Sequence, residues 1–283
     1  RFALIYGANA SGKSNLLNAM GFLRDFWFDK KSDIDEETGV VPFLLDTETP
    51  NEPSEFNIKF FVGDKRYWYA LVLDDKQVIK EDLYVYNSVQ PSLVFSRELD
   101  GTASLIKLNA SLVKANATIV EQLNVKCLSN MSFFAARNQV NCSLAYIDEV
   151  RDWMKNNMMP IIQPGTRMFE YAGKQMEKNV ELKAYILDFV HKADYNITDV
   201  YTEREKVPIP DNVKASIMED KDIPEKAKEK MLADNALERL RTDFQHTVKN
   251  KRGEENYRLP NSLQSEGTKR TFGIEAAIYE AIK

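Results

Sequence analysis

The sequence predicts an α/β protein with a strand–loop–helix unit at its N-terminus, an antiparallel β lobe and a helical insertion. Three observations lead to this fold class. Near the N-terminus, a run of apolar residues stops at a glycine and is followed by apolar residues at helical spacing. Several segments then alternate between apolar and polar residues and are separated by turn residues. The second half of the chain is rich in charged residues and has apolar residues at helical spacing. With 283 residues, the chain is long enough for about two domains, or for one domain with a large insertion.

Composition and charge exclude several classes of protein. Apolar residues make up 43% and charged residues 29% of the chain, which is typical of a globular protein and excludes wholesale disorder. The net charge is −5, so any contact with nucleic acid must be local. Two cysteines and two histidines form no zinc pattern, and we expect a reducing, cytoplasmic location. No apolar stretch is long enough to span a membrane, so no membrane partner is expected.

The first 32 residues follow a strand–loop–helix pattern. The apolar run from Phe2 to Tyr6 predicts a buried strand that stops at Gly7. From Asn15 to Trp27, apolar residues recur at helical spacing. Residues 1–32 are therefore assigned to a first lobe in which a loop joins a strand to a helix.

Residues 33–108 are expected to form an antiparallel β subdomain. Segments 55–62 and 67–73 alternate around the turn residues Gly63 and Asp64, which predicts a hairpin. Segments of similar character follow at 78–86 and 92–97, and Asp100-Gly101 marks another turn. These strands would form one sheet of successive hairpins.

Residues 109–255 are assigned to a helical region and insertion, and residues 256–283 to a segment that returns to the first lobe. Helical spacing is found in four stretches of the insertion: 111–128, 144–159, 180–193 and 211–250. The last of these is rich in Lys and Glu, which is typical of a solvated helical face. Residues 272–282 are again apolar at helical spacing.

The N-terminal loop carries the motif with the clearest chemistry. Residues 7–14 read GANASGKS and match the P-loop pattern GxxxxGK[ST] in full. In such a loop, successive N–H groups converge on phosphate oxygens, with a helix dipole behind them. Lys13 would contact the β- and γ-phosphates as the catalytic residue, and the Ser14 hydroxyl would bind Mg²⁺. The predicted nucleotide-binding residues, with ATP and Mg²⁺ as cofactors, are Gly7, Asn9, Ala10, Ser11, Gly12, Lys13, Ser14 and Asn15.

The residues that follow the loop indicate a family. The stretch from Gly7 to Ala19 resembles the Walker A motif of ABC-type ATPase heads of the structural-maintenance, recombination-repair and OLD-nuclease kind. In those heads G-x-N-x-S-G-K-S-N is followed by two apolar residues and then N-A. The pattern F-x-x-I-Y-G-x-N-x-S-G-K-S-N is most similar to the ABC-like "AAA" ATPases of bacterial phage-defence systems. The resemblance implies a P-loop NTPase fold of the ABC-head type.

A second motif near the C-terminus supports the same resemblance. Residues 262–270 read SLQSEGTKR and resemble the ABC signature, in particular the E-S-x-G-T-K-R form of the defence ATPases, although Gln264 replaces the usual Glu. In the resembling family this motif contacts the γ-phosphate of nucleotide bound to the partner subunit, which implies that Ser265 and Gly267 act in trans. An ordinary Ser/Gly helix cap is the alternative interpretation.

Two further candidates remain open between a functional and a structural role. Residues 144–149 read LAYIDE and look like a Walker B strand, but in the resembling family Walker B follows the signature, and the apolar spacing continues as a helix. Asp148 and Glu149 are therefore predicted to be helical. Walker B is then expected after Lys283, in a longer polypeptide. Gln139 is either a Q-loop glutamine on the metal or a solvated loop residue.

The resemblance implies that Mg-ATP is sandwiched between two heads, so the predicted assembly is a homodimer or higher homo-oligomer. Such a head would hydrolyse ATP and control an effector protein, a nuclease or toxin, in anti-phage defence, and nucleic acid stays open as a partner. One alternative is a scaffold that binds ATP and sequesters or activates its partner with negligible turnover. A second is a P-loop kinase or sulfotransferase-like enzyme, but the arginine cluster of a lid is not seen.

Overall fold

The computed structural model describes residues 3–163, 165–166, 168–193, 196–220 and 225–283. The chain divides into two compact units, an N-terminal unit of residues 3–162 and a C-terminal unit of residues 163–283. Within the described ranges, none of the helices is both long enough and apolar enough to cross a membrane. The finer division into four sequence segments stays a prediction.

The N-terminal unit combines one meandering antiparallel sheet with four helices. Its sheet has five strands in sequence order, so every neighbouring pair is antiparallel. The predicted hairpin around residues 63–64 and the antiparallel lobe are therefore confirmed. Its elements are α1 (Lys13–Phe26), β1 (Ser54–Val62), β2 (Lys65–Leu73), β3 (Val78–Tyr86), β4 (Ser92–Asp100), β5 (Ala103–Leu108), α2 (Ala117–Lys126), α3 (Phe133–Arg137) and α4 (Ile147–Asn157).

The core of this unit lies between one face of the sheet and the helices. Alternation along β2 buries every second side chain, from Tyr67 to Leu73. The end of α1 contributes Trp27, whose ring meets Tyr69 edge-on at 5.5 Å between centroids. On the next part of the sheet, Phe95 stacks on Phe133 of α3 at 4.0 Å. Aromatic rings thus join α1 and α3 to the same sheet face.

One buried ion pair lies within this core. The Arg97 guanidinium and the Glu81 carboxylate are 3.2 Å apart, and both side chains are almost fully buried. Glu81 also accepts hydrogen bonds from the Tyr69 hydroxyl at 2.9 Å and from the backbone N–H of Phe133 at 2.8 Å. Burial raises the pKa of Glu81, and the positive charge of Arg97 opposes that rise. The pair is tolerated in the core because it is well hydrogen-bonded.

The C-terminal unit packs helices on a second antiparallel sheet, whose strand order is β6-β7-β8. Its core includes Phe244 of the central strand and Phe272 of the last helix, with ring centroids 4.9 Å apart. Its described elements are α5 (Phe169–Lys178), α6 (Val180–Lys192), β6 (Asp199–Pro208), α7 (Asp211–Glu219), α8 (Glu225–Asp234), β7 (Ala236–Asn250), β8 (Gly253–Pro260) and α9 (Glu266–Ile282).

Close packing in the C-terminal unit depends on a glycine in α9. A Cβ atom built on Gly273 would lie 2.5 Å from Cβ of Met168 and 2.8 Å from its carbonyl carbon. Because part of that contact is backbone, rotation of a side chain cannot relieve it. The helix therefore approaches residue 168 more closely than any other residue type would allow.

Three of the predicted helical stretches are confirmed with shorter bounds, as α2, α4 and α6. The prediction for 211–250 is correct for α7 and α8 but wrong from Ala236 onward, where the chain is β7. Leu237, Leu240 and Phe244 fit helical spacing. However, the strand also buries alternate residues, with Thr242 and Phe244 both in the interior. Pairing with strands on both sides decides between the two patterns.

The prediction of a buried strand at residues 2–6 is wrong over its described part. Residues 3–6 have no regular secondary structure, and Leu4 and Tyr6 are 77% and 84% exposed. A strand requires a neighbour to accept and donate its backbone hydrogen bonds, and no described strand pairs with this segment. The local apolar pattern is therefore not sufficient to form the element.

We predict that Arg97→Met lowers the free energy of unfolding by about 3–5 kcal/mol, because it leaves the Glu81 carboxylate buried and unpaired. Loss of Arg97 also removes the charge that holds the pKa of Glu81 down. The folded variant then binds its proton more tightly than the unfolded chain does. The deficit should therefore grow as the pH rises above about 4.3, the ordinary glutamate value.

Urea unfolding at pH 4.5 and pH 8 measures both effects. Lys107→Met is the matched control, because Lys107 is exposed on β5 and its ion pair with Glu98 spans 3.9 Å. Its expected cost is below about 1 kcal/mol. Equal costs for the two variants would contradict the role given to Arg97.

Candidate P-loop and signature sites

The loop at residues 7–14 turns tightly just before α1. Gly12 is the N-cap residue of that helix and has a φ of 83°, in the left-handed region that glycine adopts without strain. Ala10 also has a positive φ, 62°, which is uncommon for a residue with a Cβ atom. Two residues with left-handed backbone conformation therefore make the loop turn tightly just before the helix.

The Lys13 ammonium group is bound by oxygen atoms of this loop. Its Nζ donates to the carbonyl oxygens of Gly7 at 2.9 Å and Ala8 at 2.6 Å, and to Oγ of Ser11 at 3.3 Å. The Ser11 N–H in turn donates to the Ala8 carbonyl. A fixed positive charge is thus held at the N-terminus of α1, where the helix dipole is also positive.

The first amides of α1 are available to an anion. Within the described part of the chain, the backbone N–H groups of Gly12, Lys13 and Ser14 have no hydrogen-bond acceptor. No side chain caps the helix and its first turn carries no acidic residue. Free amides, a helix dipole and an ammonium group together form a site that fits phosphate.

A metal ion at this site would have one protein ligand of the expected kind. The Ser14 side chain is exposed at the first turn of α1, and its hydroxyl is a hard oxygen donor of the type that Mg²⁺ prefers. Among the described residues, no group of three or more His, Cys, Asp or Glu side chains could hold a metal ion. Mg²⁺ bound beside a nucleotide takes only one or two protein oxygen ligands, and the Ser14 hydroxyl fits that requirement.

Gly7 and Asn15 lie at the two ends of the predicted nucleotide-binding segment. A Cβ atom on Gly7 would lie 2.6 Å from Oγ of Ser11, so a larger residue would push against the loop. Asn15 is exposed and lines a cavity of about 650 Å³ together with Phe22, Phe43 and Leu45. Asn9 is exposed at the tip of the loop.

Asp148 and Glu149 lie in the first turn of α4, as the sequence predicts. Asp148 accepts a hydrogen bond from the backbone N–H of Leu144 at 2.8 Å and pairs with Arg137 at 2.8 Å. Glu149 pairs with Lys65 at 2.7 Å. Burial and then the neighbouring Glu149 charge raise the pKa of Tyr67. Both carboxylates are thus engaged in contacts that fix α4, and neither is at the end of a strand.

Ser265 is the N-cap residue of α9. Its Oγ accepts a hydrogen bond from the backbone N–H of Thr268 at 3.0 Å and lies 2.8 Å from the Thr268 hydroxyl. The preceding residue, Gln264, contacts the ring nitrogen Nε2 of His246 on β7 at 2.7 Å. Within the C-terminal unit, the Ser265 side chain therefore acts as a helix cap. A role in trans uses the same helix N-terminus and stays a prediction.

Gln139 lies in the turn that follows α3, where its N–H donates to the carbonyl of Ala136. Its neighbour Asn138 lines a cavity with Arg24 and Phe28, at the C-terminal end of α1. Ser14 is ten residues before Arg24 on that helix, a distance of about 15 Å. No described contact joins Gln139 to the loop, and its role as a metal ligand stays a prediction.

Residues 2–107 match the family described as "AAA domain, putative AbiEii toxin, Type IV TA system". The matched segment covers the loop, α1 and the sheet almost to the end of β5. The match supports an AAA-type P-loop ATPase. It indicates nucleotide binding, and this family usually binds Mg²⁺ with its nucleotide. No curated protein and no solved structure gives a significant match to the chain.

We predict that Glu149→Gln leaves the affinity for Mg-ATP unchanged and costs less than about 1 kcal/mol of stability. The variant loses the partly exposed ion pair with Lys65, but its amide oxygen can still accept the hydrogen bond from the Tyr67 hydroxyl. Asp148→Asn is the matched comparison and should cost more, about 1–3 kcal/mol, because Asp148 pairs with the buried Arg137. Calorimetric titration with Mg-ATP and thermal unfolding measure the two effects. Tighter ATP binding with arrested turnover in the Glu149 variant would contradict a structural role.

Proposed function

We propose that this chain is an ATP-binding and ATP-hydrolysing head of the ABC type, which dimerises around Mg-ATP and controls an effector in bacterial anti-phage defence. The observation that carries the proposal is the arrangement of Lys13 and the free amides of α1 within one contiguous loop. The family match over residues 2–107 supports the nucleotide-binding part of the proposal independently of side-chain geometry.

In this proposal the loop binds the phosphates by charge and by hydrogen bonds. The amides of Gly12, Lys13 and Ser14 donate to phosphate oxygens, and the Lys13 ammonium group neutralises their charge. The Ser11 contact is the longest of the three contacts of Lys13, so an incoming phosphate oxygen can replace it at the least cost. Mg²⁺, when bound beside Ser14, supplies further neutralisation of the β- and γ-phosphates.

The second half of the composite site would come from another copy of the chain. A P-loop surrounds the phosphates from one side, so the γ-phosphate of a single head stays open to water. The N-terminus of α9, with Ser265 and Gly267, offers a hydroxyl and a backbone N–H that can close that side. Two-fold symmetry then creates two sites at once, which supports a homodimer.

The effector is proposed to be a nuclease or a toxin, because the loop motif resembles that of OLD-nuclease heads and the description of the matched family names a toxin. The competing proposal is a scaffold that binds ATP and sequesters or activates its partner with negligible turnover. The scaffold would bind ATP through the same residues as the hydrolysing head, and the two proposals differ only in the rate of ATP hydrolysis. Turnover measured with and without the second head therefore separates the two.

We predict that Lys13→Ala weakens Mg-ATP binding by at least tenfold while the fold stays intact, because it removes the ammonium group from the phosphate site and leaves the core untouched. Lys30→Ala is the matched control, since Lys30 is an exposed lysine that forms no ion pair within the described ranges. Calorimetry measures the affinity, and circular dichroism monitors the fold. Wild-type affinity in a folded Lys13 variant would overturn the proposed nucleotide site.

We predict that Ser265→Arg spares ATP binding by the monomer but prevents ATP-induced dimerisation and hydrolysis. Because Ser265 also caps α9, Ser265→Ala serves as the control for stability and should cost about 1 kcal/mol.

Mixing the Ser265→Arg protein with the Lys13→Ala protein should restore one composite site per heterodimer. Sedimentation with Mg-ATP measures dimerisation, and phosphate release measures turnover. Hydrolysis at the wild-type rate by the Ser265→Arg protein alone would reduce Ser265 to a helix cap.

A further inference from the structure

The outer face of the five-stranded sheet carries aromatic and cationic side chains in two cross-strand rows. The register aligns Phe61 with Arg66 and Arg66 with Tyr86 in one row, and Lys59 with Trp68 and Trp68 with Tyr84 in the other. Residues between these positions, such as Phe60 and Tyr67, are buried on the opposite face. The outer-face patch comprises Lys59, Phe61, Arg66, Trp68, Tyr84 and Tyr86.

This patch differs from an ordinary solvated sheet face. The outer side of an antiparallel sheet is usually polar, whereas here four of the six side chains are aromatic. Phe61 is 62% exposed, so most of its ring meets solvent on the edge strand β1. Trp68 and Tyr84 stack on each other at 4.7 Å, which holds their rings side by side at the surface. One exposed ring beside three half-buried rings on a solvent-facing sheet is a feature of interaction surfaces.

The cations of the patch are oriented by rings and not by carboxylates. The Arg66 guanidinium lies 3.8 Å from the centre of the Tyr86 ring, and Lys59 Nζ lies 5.3 Å from that of Trp68. Neither cation forms an ion pair within the described ranges. The neighbouring Lys65, by contrast, is paired with Glu149. The Tyr84 hydroxyl donates to Asp82 on the same face at 2.9 Å, so Lys59 and Arg66 are the cations of the patch that stay available to an anionic partner.

We propose that the outer-face patch binds single-stranded nucleic acid. Lys59 and Arg66 would pair with phosphates, and the exposed Phe61 ring would stack against a base. The edges of the other three rings would meet neighbouring bases edge-to-face. The two rows are two residues apart along each strand, about 6.8 Å. That spacing lets consecutive nucleotides of an extended strand each lie over one row. The bases of a duplex are stacked inside the helix, so they cannot contact the aromatic rings of the patch. The net charge of −5 also gives the protein no general attraction for polyanions such as duplex DNA.

Fluorescence anisotropy with labelled 12-nucleotide dT and rU strands, and with a 12-base-pair DNA duplex, tests this proposal. The double variant Lys59→Ala/Arg66→Ala should bind either single strand at least tenfold more weakly than the wild type. Each phosphate contact contributes about 0.7 to the slope of log affinity against log salt for single strands, so the slope should fall by about 1.4. A merely structural role of the two cations would not change that slope.

The matched control is Lys76→Ala/Lys114→Ala, which removes two exposed lysines of the same unit that form no ion pair within the described part of the chain. It should keep the wild-type affinity and salt slope. For the stacking step, Phe61→Ser should weaken binding about tenfold, while Val89→Ser, at another exposed apolar position, should not. Lys13→Ala should bind the strands as the wild type does, which separates this surface from the nucleotide loop.

Three results would overturn the proposal. They are no binding of either single strand by the wild-type protein, equal losses in the patch and control variants, or tighter binding of the duplex than of the single strands. Circular dichroism and the unfolding temperature establish that each variant is folded. If Phe61→Ser does not fold, Phe61→Leu gives the same test, because it removes the ring and keeps an apolar side chain. A single-strand-specific loss confined to the patch variants supports the proposal.

Discussion

The buried guanidinium of Arg97 is the constraint that connects the sheet to α1, the helix that follows the glycine-rich loop. It donates to the carbonyl oxygens of Leu128, Ser129 and Met131, and so fixes the chain segment that enters α3. The next residue of that segment, Ser132, donates its hydroxyl hydrogen to the carbonyl of Trp27 at 2.9 Å. Because Trp27 ends α1, one buried charge on β4 helps to determine where that helix lies.

The same segment also reaches the stretch that follows α1. Asn130 is fully buried, and its amide donates to the carbonyl oxygens of Asp33 at 2.8 Å and Glu36 at 2.7 Å. These hydrogen bonds secure the chain between α1 and β1. The far end of α1 is thus held by aromatic packing and buried hydrogen bonds, while its first turn stays exposed. A rigid helix with an open N-terminus is suited to present amides to a phosphate.

The sequence was sufficient for features that depend on neighbouring residues. The left-handed turn at Gly12 and the helix that begins at Lys13 follow from a glycine and an apolar spacing that are contiguous in the chain. The hairpin at Gly63-Asp64 and the helix at Asp148 follow in the same way from turn chemistry and apolar spacing. Such elements need no information about distant partners, which is why their prediction succeeded.

Features that depend on distant partners could not be predicted. Residues 3–6 have the apolar pattern of a strand, but no described strand supplies their hydrogen bonds. Residues 236–250 have helical spacing, yet two flanking strands draw them into a sheet. The outer-face patch was also missed, because Lys59, Arg66 and Tyr86 lie on three different strands and become neighbours only through register. Alternation of exposed aromatic and basic residues along β1 and β2 was the available signal.

The central claim is that the free amides at the start of α1 hold the phosphates of a nucleotide. Hydrogen–deuterium exchange of the protein, with and without saturating Mg-ATP, tests it most directly. Our account predicts slower exchange concentrated in the peptide that contains Gly12, Lys13 and Ser14, with little change in the five-stranded sheet. Nucleotide binding that leaves the exchange of this peptide unchanged, or that protects a different region instead, would contradict it.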